Sequence, residues 1–394
     1  MALALIDPYW EDWLELGFRL LHVVAGIVWI GTSFYFVALD NHLGRPRVAE
    51  EGVRGESWEI HGGGFYRISK YRVAPAELPE PLHWFKWEAY TTWLSGFGLL
   101  VVLYYWNADT YLIDESVADI PVAAAIGISL IALAAAWVVY DLACLVFESD
   151  VVVGLLLLAM TIGAAYAAGE VFSGRAAYLQ VGAMLGTIMA ANVLFNIIPA
   201  HWELIRAKEA GREPAAAPGL EAKRRSVHNN YLTLPVVFTM ISNHFAFTYE
   251  HEHAWLVLVA LTLIGAWIRH FFNLRHAGRT RWWILASALA ASVLLAVAIR
   301  PDEGGGRAIG PVDAGKAVAI VQQRCVPCHS QNPTQEGFDA PPGGVVLDTR
   351  EQIVEQAGAV EEQAVRTKAM PLGNVTGMTD EERETLDAWL DSLE

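Results

Sequence analysis

The sequence predicts an all-α membrane protein: an eight-helix transmembrane bundle followed by a small soluble helical domain. Three observations carry that expectation. Of 394 residues, 54% are hydrophobic and only 18% charged, and the mean hydropathy is +0.32. The apolar residues fall into long runs, and the charge concentrates at the end, where residues 301–394 hold 17 acidic and 7 basic side chains. At roughly 100–200 residues per domain, the length suits two or three units. The acidic balance excludes a nucleic-acid binder, which would present a basic face. Aromatic residues at 11% exclude a disordered chain. Three cysteines are too few for a disulfide framework.

A helix rises ~1.5 Å per residue, so ~30 Å of hydrocarbon needs about 20 apolar residues. Such runs lie near 13–38, 84–106, 121–147, 151–168, 178–200, 227–248, 254–272 and 282–299. Tryptophans mark their ends (Trp10, Trp13, Trp84, Trp87, Trp106, Trp202, Trp282, Trp283), as an interfacial aromatic belt requires. Lys and Arg set the orientation. Segments 39–83, 201–226 and 273–281 hold 15 of them, whereas 107–120, 169–177 and 249–253 hold only Arg175. The first group is therefore expected on the cytoplasmic side, with both termini outside. Asp7, Glu11 and Asp12 near the start, with no basic stretch or cleavage site, argue against a removable signal peptide.

Residues 1–300 thus form the expected membrane domain, 301–311 a glycine-rich linker and 312–394 a soluble domain. In the last, Val318, Val321 and Cys325 share a helical face, and a helical stretch is expected near 350–366. Thr379-Asp380-Glu381-Glu382 reads as a capping box opening a final helix with Leu386, Trp389 and Leu390 on one face.

Cys325-Val326-Pro327-Cys328-His329 is the C-x-x-C-H pattern of covalent haem attachment. Two thiols at this spacing can each add to a haem vinyl group, and the next histidine then reaches the iron. A methionine thioether is the usual sixth ligand and raises the potential. Met370, followed by Pro371, lies between the middle and last helices and is the expected ligand. Met378, just before the helix cap, should instead pack beneath that helix. A redox or zinc C-x-x-C is the competing reading, but it needs no trailing histidine and zinc would want a second pair. Length, flanking helices and the late Met-Pro make this domain resemble a class I cytochrome c, which places it outside a bacterial inner membrane. Cys144, inside the third span, is expected to be a packing residue.

Ionisable groups in spans are costly and mark function by default. His22 and His244 lie toward the outer face, and a neutral imidazole suits iron. They are candidate ligands of a second, non-covalent b-type haem; the alternative for His22 is a hydrogen-bonding post. Toward the cytoplasm lie His201, His228, Asn229, Asn230 and His270, beside the 39–83 loop. Asn192 and Asn196 read either as interhelical hydrogen-bond posts or as site residues. Gly62, Gly63 and Gly64 either turn the loop or present backbone N–H groups to an anion. His251, His253 and His276 read as solvated loop residues.

Three segments resemble the membrane-bound urate oxidase (urate hydroxylase, PuuD-type) family: His61-Gly62-Gly63-Gly64-Phe65-Tyr66, Leu82-His83-Trp84-Phe85-Lys86-Trp87-Glu88-Ala89-Tyr90 and His228-Asn229-Asn230-Tyr231-Leu232-Thr233-Leu234-Pro235. The resemblance spans essentially the whole chain, because that family joins eight helices to a C-terminal cytochrome c. It implies two-electron oxidation of urate to 5-hydroxyisourate, with electrons leaving through the haem to a downstream cytochrome or terminal oxidase. The span around His22 and Trp29 also resembles, more weakly, haem-binding membrane proteins of the HemJ type. Urate is a planar anion, so donors, amides and an aromatic wall are needed. Lys70, His228, Asn229, Asn230, Tyr231 and the glycines offer them, with His228 or His201 as base near neutral pH. Competing classes are a non-enzymatic electron-transfer subunit and a haem-dependent oxidase of a porphyrin-like substrate. The long polar cytoplasmic loop argues against a mere relay.

Overall fold

The structure, a computed structural model, describes residues 8–47, 50–300, 314–335 and 338–393. The expected linker, 301–311, and residues 312 and 313 lie outside the described residues. The chain is 70% helix and 5% strand, and a helix covers each of the eight apolar runs. The first is α1 (Pro8–His42), and after a β-hairpin comes α2 (Trp87–Leu99), continued by a wider turn over Leu100–Tyr105. A short α3 (Ala108–Tyr111) leads to α4 (Val122–Val146), α5 (Asp150–Gly169) and α6 (Gly174–Ala191). A second wide turn, Asn192–Ile197, joins α6 to α7 (Ile198–Glu209) in one 36-residue rod. Pro199 has no N–H to give to the preceding turn, and the helix widens immediately before it. Then come α8 (Ala216–Ile241), the short α9 (Ala246–Tyr249), α10 (Ala254–His276) and α11 (Trp282–Ala298). Among the described residues, five helical rods are long and apolar enough to cross a membrane.

The core is built on α6, whose face from Ala176 to Ala191 is almost wholly buried against α4, α5 and α8. Small residues set the spacing. A Cβ at Gly182 would overlap the Thr239 hydroxyl of α8, and one at Gly96 would lie 2.7 Å from the His22 ring of α1. Such contacts suit helices that associate by close packing rather than by water exclusion.

The hairpin is the departure from an all-α fold. Strands β1 (Val53–His61) and β2 (Gly64–Tyr71) pair antiparallel, with His61 opposite Gly64. Gly62 and Gly63 form the two-residue turn, and both have positive φ (57° and 81°). Only glycine adopts that pair of angles without strain, and the resulting twist matches the strands. Glu56 anchors the hairpin: it is 4% exposed, accepts from the Arg47 N–H at 2.9 Å and pairs with Arg67 Nε at 2.8 Å.

The C-terminal unit has its own core. Helix α12 (Ala314–Arg324) packs on α15 (Asp380–Asp391), with α13 (Arg350–Glu355) and α14 (Ala357–Val360) between them in sequence. Val321, Ile353, Leu386 and Trp389 are buried together. The Thr379 capping box is present: Glu382 N–H donates to Thr379 Oγ1 at 3.2 Å, and Thr379 N–H donates to Glu382 Oε2 at 2.8 Å. The expected helix near 350–366 is broken at Gln356 and ends in a wide turn, Glu361–Arg366. This unit rests on the connections at one end of the helices. Gly373 sits so close to the Thr110 carbonyl that no side chain would fit, and a cleft of ≈ 930 Å³ separates 368–383 from Asp109–Ser116, Ser173–Arg175 and Tyr249–Glu250. The hairpin is tied to the opposite end, through Asp40 at the close of α1.

The Gly182 contact makes a test of the core. Gly182→Val should destabilise the helical domain by about 1–3 kcal/mol or more, the scale of overpacking. Gly186→Val, where a Cβ meets open space, should have little effect when unfolding in detergent is followed by tryptophan fluorescence.

Candidate functional site

Ionisable side chains meet where α4, the wide turn after α6, and α8 face one another. Arg225 of α8 is fully buried and pairs with Asp141 of α4 at 2.9 Å and with Glu221 one turn before it at 2.7 Å. It also donates to Asn192 Oδ1 at 3.2 Å, and its guanidinium lies 5.3 Å from the Tyr140 ring. Asn192 in turn donates to the Tyr140 hydroxyl at 3.2 Å and to Asn229 Oδ1 at 2.9 Å. Asn229 donates to the Met189 carbonyl at 2.9 Å. His228 closes the chain: Nδ1 lies 2.8 Å from the Tyr140 hydroxyl and Nε2 lies 3.2 Å from Asp150 Oδ1. Arg224 reaches the same Asp150 at 2.6 Å. Asn196 donates to Asp141 Oδ1 at 3.3 Å.

The expected site residues divide on this geometry. His228 and Asn229 belong to one network, and Asn192 and Asn196 are its posts. Asn230, on the next face of α8, is fully buried and accepts from Arg269 Nε of α10 at 2.8 Å. The Tyr231 hydroxyl lies 2.8 Å from His270 Nδ1, and the His270 ring stacks on Trp267. Lys70 pairs with Asp40, which Lys223 of α8 also reaches at 3.0 Å. This triad brings the hairpin beside the start of α8 but leaves Lys70 neutralised.

Two groups are placed elsewhere. Gly62 and Gly63 occupy the exposed tip of the hairpin, with nothing within 4 Å of a Cβ at either. Gly64 opens β2 and is half-buried there. Gly62 and Gly63 thus fill the turning role that the sequence allowed them. His201 is exposed on α7 with its ring 6.3 Å from that of Trp84, and the two line an apolar recess of ≈ 240 Å³ with His83 and Leu204. His201 therefore lies outside the His228 network.

His22 and His244 have separate settings. His22 Nδ1 lies 2.9 Å from the Thr92 carbonyl and 3.3 Å from Ser95 Oγ, locking α1 to α2. His244 is exposed in the turn after α8. His22 thus makes an interhelical hydrogen bond through Nδ1, while His244 sits in a separate turn. Cys144 is buried in the apolar core, as expected of a packing residue.

In the C-terminal unit, Cys325 directly follows α12, and its carbonyl accepts from the N–H groups of Cys328 (3.1 Å) and His329 (2.9 Å). This turn gathers both thiols and the imidazole. Burial pushes the Cys325 thiol up to about 12. His329 Nδ1 donates to the Val345 carbonyl at 3.1 Å, which fixes the tautomer and leaves Nε2 for a metal. Met370 is half-buried, its carbonyl held by Arg383 Nη1 at 2.8 Å. Met378 is 4% exposed and packs in the core with Val321 and Leu386. Cys325, Cys328, His329 and Met370 could together hold a covalent haem.

Tyr140, Asp141, Asp150, Arg225 and Arg269 carry the interior network without having been marked as site residues. Asp141, an acid inside an otherwise apolar run, was the available signal. A mostly helical, apolar chain with ionisable groups gathered between its helices is the class that fold and site define. The profile of the urate oxidase N-terminal family matches residues 8–300, and the chain belongs to that family. It is accordingly related to the oxidoreductases that act on urate, while the C-terminal unit lies beyond the matched residues. No characterised protein and no solved structure matches the chain.

Removing one partner of a buried ion pair strands the others. Arg225→Met should cost ~3–5 kcal/mol, read from the unfolding midpoint in detergent. Combining it with Asp141→Asn should recover part of that loss, and additive losses would show that the pair is not coupled.

Proposed function

We propose that this chain is a multi-pass membrane urate oxidase that forms 5-hydroxyisourate and passes the electrons to a haem held by its own C-terminal unit. The observation that carries the reading is the joining of a urate oxidase family domain, residues 8–300, to a C-x-x-C-H unit whose histidine is oriented for a metal. The reaction balances as urate plus water giving 5-hydroxyisourate, two protons and two electrons. A bound c-type haem would supply a one-electron acceptor that takes the two electrons in turn and hands each to a downstream cytochrome or terminal oxidase.

The chain's residues prepare that group's place. Cys325 and Cys328 would bind the haem covalently through sulfur, and His329 Nε2 and the Met370 thioether would hold its iron. Arg383 holds the Met370 loop by donating to the carbonyls of Ala364 and Met370. Arg324 and Glu382, 3.0 Å apart, bind α12 to α15 beneath it. In the membrane domain, His228 accepts a proton relayed through the Tyr140 hydroxyl, and Asp150, with a 64% exposed side chain, offers the outlet to solvent.

The bacterial cell membrane suits this arrangement, with the haem unit on its outer side. The C-terminal unit rests on 109–116, 173–175 and 249–250, the connections that are almost free of Lys and Arg. The hairpin, held by Lys70 and Asp40, belongs to the basic end.

Anaerobic urate added to the purified full chain should raise the reduced c-type α band, and no reduction would overturn the function. Met370→Ala should abolish the low-spin, methionine-ligated spectrum. Met378→Ala should keep that spectrum while lowering the melting temperature of the haem unit; the reverse pattern would exchange the two roles. Reporter fusions after residues 75 and 215 should both behave as cytoplasmic, and an external signal at either would refute the sidedness.

A further inference from the structure

A polar atom buried among apolar helices without a partner is costly, and nearly all such atoms in folded proteins are satisfied. Among the described residues, two unsatisfied ones belong to side chains that touch each other. These are Asn230 Nδ2 and Arg269 Nη2, on residues joined by the 2.8 Å bond from Arg269 Nε to Asn230 Oδ1. Asn230 is 0% exposed and Arg269 4% exposed.

The charge is as unbalanced as the hydrogen bonding. Among the described residues, no carboxylate lies within ion-pair distance of Arg269. Its guanidinium carbon instead lies 3.7 Å from the centre of the Phe34 ring of α1. Arg225 is the instructive contrast. It too has a free Nη2, but Asp141 and Glu221 neutralise it. A desolvated guanidinium is costly unless an anion or other acceptor compensates it, and among the described residues no carboxylate does so here. The Phe34 ring covers one face, so Nη2, which has no protein partner, is where compensation has to come. The amide of Asn230 is held by Arg269 and adds a neutral donor beside the cationic one.

We infer that Arg269 and Asn230 form the anion-binding subsite for the substrate. Arg269 Nη2 and Asn230 Nδ2 donate to adjacent acceptor atoms on one edge of a planar purine-type anion. The inference rests on the urate-oxidation reading for the identity of that anion, and on the two free donors and the unpaired charge for its place. It also divides the His228-Asn229-Asn230-Tyr231 segment. Both nitrogens of His228 and both amide atoms of Asn229 are occupied by protein groups, whereas Asn230 keeps a donor for something else. Purine oxygens and deprotonated ring nitrogens are acceptors matched to a forked cation and an amide.

The test is equilibrium binding of radiolabelled urate to the full-length protein, reduced beforehand with dithionite so that no turnover occurs. Arg269→Gln and Asn230→Leu are compared with wild type, and melting temperature and the c-type α band report that each variant is folded. Each folded variant should weaken urate binding at least about tenfold, the scale of one lost charge-assisted hydrogen bond. Arg269→Lys, which keeps the charge but loses the fork, should fall between wild type and Arg269→Gln. In steady state the variants should raise KM for urate far more than they lower kcat. Wild-type affinity in folded Arg269→Gln and Asn230→Leu would overturn the subsite and leave the function standing. If wild type binds no urate, the function falls, and the subsite is judged by melting with xanthine. A rise in wild type that is absent in Arg269→Gln would uphold it, and no rise in either would overturn it. If a variant fails to fold, Arg269→Lys decides by the same binding measurement, and unchanged affinity there counts against the subsite.

Discussion

A guanidinium held among apolar helices has to be neutralised, and the contact of Arg225 with Asp141 at 2.9 Å is the constraint on which the rest of the helical domain depends. It joins α8 to α4 and, through Asn192, fixes the wide turn that Pro199 introduces into the α6–α7 rod. Asn192 orients Tyr140 and Asn229, and Tyr140 orients His228. Because low dielectric strengthens each link and penalises each omission, such a network behaves as a unit rather than as separable bonds. With α8 fixed in this way, its next face presents Asn230 and Tyr231 to Arg269 and His270 of α10, and its start presents Lys223 to Asp40.

The parts of the fold legible in the sequence were those governed by local periodicity. Eight apolar runs became helices because hydrocarbon-length hydrophobicity leaves few alternatives, and the Thr379 cap was visible because it closes within four residues. The turn from Cys325 to His329 was legible for the same reason. The Gly62–Gly63 turn was open to local reading, but the two strands it joins were not, because their residues carry little alternation and many are exposed. The interior network was beyond local reading. Asp141 and Arg225 stand 84 positions apart, and no pattern announces which of several arginines finds an acid. Arg225 and Arg269 both stand within helices, yet one is doubly paired and the other, among the described residues, has no acid within ion-pair distance. That difference exists only after the helices pack.

The close seat of Gly373 against the Thr110 carbonyl has a kinetic meaning. The C-terminal unit meets the helical domain of its own chain rather than an encountered partner, and the contact leaves no room for even one methyl group. On the proposed function, transfer between the two units is then a first-order event within a single molecule. Its rate is unaffected by dilution, its stoichiometry is set by covalent connection, and a soluble competitor must displace a tethered neighbour whose effective concentration stays high.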